Sequence, residues 1–151
     1  MSIWFVLYLL FVVAPIGTFV HEGGHALGAR IAKADTVVLS IGVGKEALSY
    51  SFKKVHLKVH MLFFMGGYVL SERATSYTTG EKCLISICGP LLNILCATGL
   101  FYMQVYIVDH PFVALLCLFN VWLAFINIIP FKIGNKQSDG YTILKVLKER
   151  S

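Results

Sequence analysis

The chain has 151 residues, 57% hydrophobic and 14% charged, with a formal net charge of +5 and a mean hydropathy of +0.74. That is too apolar for an ordinary soluble domain of this length, and one domain accounts for it. No basic run is interleaved with aromatics, so nucleic acid is not an expected partner; basic loops beside membrane spans explain the charge. The cysteines Cys83, Cys88, Cys96 and Cys117 form no CxxC pair and lie in apolar segments, the setting of buried free thiols.

The first segment, Ile3 to about Ala32, exceeds the roughly 20 residues that cross a hydrocarbon core of about 30 Å. A cleaved signal peptide is disfavoured, because Met1-Ser2 offers no positive start and cleavage would detach the motif that follows. Pro15 and Gly17 predict a kink, Gly24 and Gly28 form a small-xxx-small pair for close helix approach, and Arg30 and Lys33 mark the exit. Toward that exit lies His21-Glu22-Gly23-Gly24-His25. Histidines four apart on a helix share one face, with about 6 Å between their β-carbons, and can hold one zinc ion. Glu22 beside them is placed to accept a proton from water at the metal. A chance match is the bland reading, but an ionisable cluster within an apolar span is costly and is functional by default.

From Asp35 to about Leu70 the periodicity changes. Lys54 to Met61 alternates apolar and polar residues, a half-buried strand; Thr36–Ile41 and Ala47–Phe52 are further candidates, predicting a sheet of three or four strands over about 36–64 at the membrane surface. His56 and His60 also stand four apart, but on a strand that means about 13 Å, too far to share a zinc, and they read as surface histidines. Gly66-Gly67-Tyr68-Val69 closes this region, and the polar stretch Ser71–Lys82 reads as a loop.

Cys83 to about Val108 is the second span; it carries Gly89-Pro90 and Asn93. Asn93 reads either as interhelical glue or as a hydrogen-bond donor to substrate. After a turn at Asp109-His110-Pro111, a third span runs from about Phe112 and ends at Pro130, with Asn120 and Asn127 inside it. A polar connection, Lys132–Ser138 with Gly134 and Asn135, leads to Asp139-Gly140 and a short amphipathic helix, Tyr141–Arg150, with a basic outer face.

All 13 Lys and Arg residues lie between Arg30 and Lys82 or from Lys132 onward. The positive-inside rule then puts the N-terminus outside, and the sheet region and C-terminus in the cytoplasm, as expected for a multi-pass cell-membrane protein. His21 lies about 27 Å along the first helix, on the cytoplasmic side. A catalytic zinc takes three protein ligands and leaves one position open. Asp109 and His110 sit at the wrong end of the spans. Glu72, Glu81 and Asp139 remain, with Asp139 best placed after a span end and before a glycine that permits a tight turn.

The ordered set His21-Glu22-Gly23-Gly24-His25-Ala26-Leu27-Gly28-Ala29-Arg30, Ser40-Ile41-Gly42-Val43-Gly44, Gly66–Val69, Gly89-Pro90-Leu91-Leu92-Asn93, Asn127-Ile128-Ile129-Pro130 and Asp139-Gly140 resembles the site-2 protease family of intramembrane zinc metalloproteases. The resemblance implies an α-helical membrane protein with a three-transmembrane-helix core and a small membrane-associated β-sheet between helices 1 and 2. It implies that Asp139 joins His21 and His25 as a ligand of one zinc ion, that Glu22 is the catalytic base, and that Asn93 helps bind the scissile peptide. Two departures stand out: a long connection between Pro130 and Asp139, and Ser138 where leucine is usual before Asp-Gly.

The expected function is hydrolysis of peptide bonds in membrane-spanning or membrane-associated substrates, in contact with the lipid bilayer. A non-catalytic zinc-binding adaptor or immunity protein is the alternative, which Glu22 disfavours. A metal transporter would want further acidic or histidine sites through the spans. The orientation is testable: in a background lacking the native cysteines, a cysteine at Ser2 or Asp109 should react with an impermeant thiol reagent from outside the cell, and one at Lys54 or Lys148 should not. The reverse labelling pattern would overturn the assignment.

Overall fold

The computed structural model describes residues 3–134 and 136–149; Ser2, Asn135 and Arg150, which figure in the expectations above, lie outside them. Three helices are long and apolar enough to cross a membrane: α1 (Ile3–Ile31), α2 (Thr79–Tyr106) and α3 (Pro111–Ile128). Two long strands, β1 (Thr36–Phe52) and β2 (Val55–Glu72), lie between α1 and α2. A two-residue pair, β3 (Lys132–Ile133) and β4 (Lys136–Gln137), precedes a short helix, α4 (Asp139–Lys148).

The expected disturbance near Pro15 takes the form of a π-helical turn at Leu9–Val13, closed by an Ala14 N–H to Leu9 carbonyl bond. Proline cannot donate to the carbonyl four residues before it and crowds it; widening the preceding turn relieves that crowding. Further along, α1 lies close against α2: a β-carbon at Gly24 would collide with the Cys88 carbonyl, and one at Gly28 would lie 3.0 Å from the Ile85 α-carbon. The small-xxx-small pair thus brings two backbones together.

α2 begins earlier than expected, at Thr79. The Thr78 hydroxyl accepts from the Glu81 N–H (3.3 Å), while the Glu81 carboxylate accepts from the Thr78 N–H (2.7 Å), a reciprocal cap that makes helix of a polar stretch read as loop. Arg73 braces Glu81 with two hydrogen bonds (2.7 and 2.9 Å) and donates to the Ala32 carbonyl at the end of α1.

The sheet also differs from expectation. Instead of three or four separate strands it consists of β1 and β2, both bent, whose segments pair antiparallel except where 36–41 and 55–59 run side by side in the same direction. Bulges, with Gly42, Gly44 and Gly66 at positive φ, bend the strands without ending them, so Gly66–Val69 lies within β2. The outer arm of β1, 46–52, pairs with 55–60 across the Lys53-Lys54 turn. Its inner arm, 36–41, lies between 55–59 on one side and 67–72 on the other. Among the described residues, 67–72 has a strand partner on one side only, which makes it an edge. Val37, Leu39 and Ile41 of the inner arm pack with Ala26 and Ala29 of α1 and with Ala34, seating the sheet on the helical turn that carries His25. The four cysteines are free thiols.

Candidate metal centre

His21 and His25 project from α1 toward α2, and the start of α4 brings Asp139 to meet them. His21 Nε2 lies 3.2 Å from Asp139 Oδ2, and His25 Nε2 lies 3.3 Å from Asp139 Oδ1. The two Nε2 atoms are 3.2 Å apart. Among the described residues this is the one His/Cys/Asp/Glu group close enough to share a cation.

The other ring nitrogens fix the tautomers. His25 Nδ1 faces the Ile85 carbonyl at 2.8 Å; a carbonyl only accepts, so this nitrogen carries the proton. His21 Nδ1 lies 2.6 Å from Asn93 Oδ1. In the neutral rings both Nε2 atoms therefore present lone pairs, and their contact is not a hydrogen bond. Asp139 Oδ2 is buried without a hydrogen-bond partner, since the imidazole nitrogen beside it has no proton to give. Three electron-pair donors converging on one buried point are the donor set of a cation. The spacing agrees: ligand bonds of about 2.0–2.2 Å in a tetrahedron put neighbouring donors roughly 3.3–3.6 Å apart.

Local sequence explains each placement. The imidazole of His25 occupies space that only glycine leaves at Gly89; any β-carbon there would run into the ring. Asp139 depends on Ser138. The Ser138 hydroxyl caps α4 by accepting from the Tyr141 N–H (3.1 Å), accepts from the Phe131 N–H (3.0 Å) and donates to the Ile129 carbonyl (2.8 Å). With the Ser138 N–H to Phe131 carbonyl bond (3.1 Å), these contacts cinch the long connection into a loop closed at its base. The departure from leucine is thus a helix cap. A serine before Asp-Gly and an amphipathic run is an N-cap signal that the sequence reading passed over. Gly140 does not serve as a flexible turn: it lies in the first turn of α4, where a β-carbon would collide with the Ile128 carbonyl at the end of α3.

Glu22, only 9% exposed, lines with His21, His25 and Asp139 a cleft of about 670 Å³. The backbone of β2 forms one wall, so close that a β-carbon at Gly67 would lie 3.0 Å from Glu22 Cγ. Asn127 of α3 lines the same cleft. Asn93 does not. It is fully buried behind His21, and both its amide protons are engaged, with the Gly17 carbonyl (3.2 Å) and Asn120 Oδ1 (2.7 Å). Its amide oxygen meets a histidine, His21 Nδ1, at 2.6 Å.

The other candidates are elsewhere. Glu81 is held by Arg73. The Glu72 carbonyl accepts from the Asp35 N–H at the sheet edge, and its carboxylate is outside the donor cluster. His56 and His60 are half-buried rather than exposed, and their Nδ1 atoms contact Ser51 (2.8 Å) and Ser40 (3.3 Å).

A partly buried His-His-Asp cluster with a glutamate beside it is a group that could hold a metal ion, as a metallopeptidase centre does. The sequence matches peptidase family M50 over residues 4–111, most of the chain. The protein belongs to that family, the site-2 proteases, and the membership points to a membrane metallopeptidase. The matched stretch contains His21, Glu22, His25 and Asn93; Asp139 lies beyond it. No curated protein matches the chain.

Metal content should separate Asp139 from its rival. Purified Asp139→Ala protein should bind metal more than about 100-fold more weakly, a larger loss than the 10–100-fold typical of outer contacts, while Glu72→Ala keeps it. Full metal in Asp139→Ala with loss in Glu72→Ala would move the third ligand to Glu72.

Proposed function

We propose that this protein is a zinc-dependent intramembrane endopeptidase acting on membrane-spanning or membrane-associated peptides. The observation that carries the reading is the convergence of His21, His25 and Asp139 in a cleft that also holds Glu22 and borders an unpaired strand edge.

Several features support a membrane setting. Leu95, Phe101, Leu118 and Phe125 on the outer helix faces are 59, 62, 65 and 70% exposed, a surface suited to acyl chains and costly in water. The basic residues cluster at one end, consistent with a cytoplasmic sheet and C-terminus in the cell membrane. The whole chain then forms one membrane-embedded domain.

His21, His25 and Asp139 would hold the metal. Zinc, when bound, supplies Lewis acidity that lowers the pKa of water and polarises a carbonyl. Glu22, buried and facing the same cleft, accepts the proton of the attacking water and returns it to the leaving amine.

A helical substrate must unwind before its backbone can be attacked. Residues 67–72 offer unsatisfied strand edge beside Glu22, and an unwound peptide laid along that edge regains hydrogen bonds as it passes the base. Asn127, whose Nδ2 donates to the Leu123 carbonyl (2.9 Å), also lines the cleft and would offer a side-chain amide to it.

Glu22→Gln should lower cleavage by about 10²–10⁴-fold while retaining metal, because the base is lost and the ligands remain. Mass spectrometry of membranes carrying wild-type or Glu22→Gln protein would reveal the peptide that accumulates; unaltered cleavage by the variant would sink the enzyme assignment. In the Glu22→Gln background, a photoreactive residue at Leu70 should capture that same peptide. Capture from Leu48, on the far edge of the sheet, and not from Leu70 would place the substrate on the other strand.

A further inference from the structure

Behind His21 runs a hydrogen-bond chain whose direction is fixed at both ends by backbone carbonyls. Asn120 Nδ2, on α3, donates to the Leu116 carbonyl (2.9 Å), so its Oδ1 must be the end that faces Asn93. Asn93 Nδ2 donates to that oxygen (2.7 Å) and to the Gly17 carbonyl (3.2 Å), which turns Asn93 Oδ1 onto His21 Nδ1 at 2.6 Å. A carbonyl oxygen cannot donate, so no other assignment of these amides satisfies every contact. Asn93 and Asn120 are both fully buried.

We infer that Asn120 is a positioning residue for the metal centre, acting through Asn93 to hold His21 in the tautomer whose Nε2 lone pair points at the cation. The inference rests on the metal reading above but concerns a residue outside the donor cluster. His25 is held in the same tautomer by a backbone carbonyl, which no substitution at Ile85 removes. His21 has no such carbonyl; its orientation is delegated to two side chains from two other helices. All three spans thereby converge on one ring nitrogen, with Gly17 from α1, Asn93 from α2 and Asn120 from α3. An imidazole whose second nitrogen is held by a strong acceptor is a more basic and better-aligned ligand. Interhelical glue alone predicts a different outcome: loss of Asn120 would loosen the helices without a specific effect on the metal.

The test uses full-length protein in detergent, with cobalt(II) as the probe because its visible spectrum reports ligand geometry. Asn120→Leu removes the acceptor at similar volume. Asn120→Asp, neutral when buried, can still donate to the Leu116 carbonyl and accept from Asn93. Asn120→Leu should bind cobalt about 10–100-fold more weakly than wild type, with an altered visible spectrum, and Asn120→Asp should recover both toward wild type. Asn93→Leu should match or exceed the loss in Asn120→Leu. Thermal melting without added metal identifies a variant that has merely failed to fold, and the comparison then rests on Asn120→Asp against Asn120→Thr, which shortens the chain without creating an apolar patch. Wild-type affinity and spectrum in folded Asn120→Leu or Asn120→Thr would overturn the inference while leaving the metal centre intact. Wild-type protein that bound no cobalt would overturn the metal reading and this inference together.

Discussion

Everything about this centre depends on aiming three unprotonated donor atoms at one buried point. Two imidazole nitrogens 3.2 Å apart, each with one of the two Asp139 carboxylate oxygens 3.2–3.3 Å away, repel unless a cation lies among them. The fold must therefore supply both the proximity and the proton placement. Proximity between the histidines comes from helical spacing on α1. Proton placement comes from acceptors on their far nitrogens, the Ile85 carbonyl and the Asn93 amide.

Helix packing follows from the same requirement. α2 must lie near enough to α1 to put an acceptor behind each ring, and ordinary side chains at the crossing would hold the helices too far apart. Gly24 and Gly28 on α1 let the backbones approach, and Gly89 leaves the space that His25 occupies. The third donor arrives from a different element. Asp139 sits at the start of α4, whose position against α3 needs Gly140 and whose first turn needs the Ser138 cap. The glycines and the serine contribute no donor atom to the cluster, yet each restricts where one can be.

Much of this was legible in the sequence, and the physical reasons separate what was from what was not. The spans and the histidine pair are local, periodic features: apolar length and a spacing of four on a helix carry their own geometry. The strand alternation at 54–61 was legible for the same reason, but the bends were not, because a bulge and a turn use the same glycines. The polar run Thr79–Lys82 looked like a loop because its helical character depends on reciprocal caps and on Arg73. Asn93 was the hardest residue to read. Its residue type fits both a substrate contact and a structural contact, and only the positions of Gly17 and Asn120, 76 and 27 residues away in the chain, show where its protons go.

The edge strand beside the centre poses a final physical question, since exposed strand edges are ordinarily a liability that proteins cover or charge. Here residues 67–72 remain unpaired on one side, and the edge begins at Gly67, where backbone rather than side chain faces Glu22. The inner arm of β1 fixes that edge from behind, and the arm is itself packed on the turn of α1 that bears His25. Movement of the edge away from the metal cluster would have to disturb the Ala26, Ala29 and Leu39 packing that joins them. A peptide laid on the edge would thus be registered against the histidines through a continuous packed core, so one small sheet can satisfy an unwound backbone and set its distance from the reacting centre.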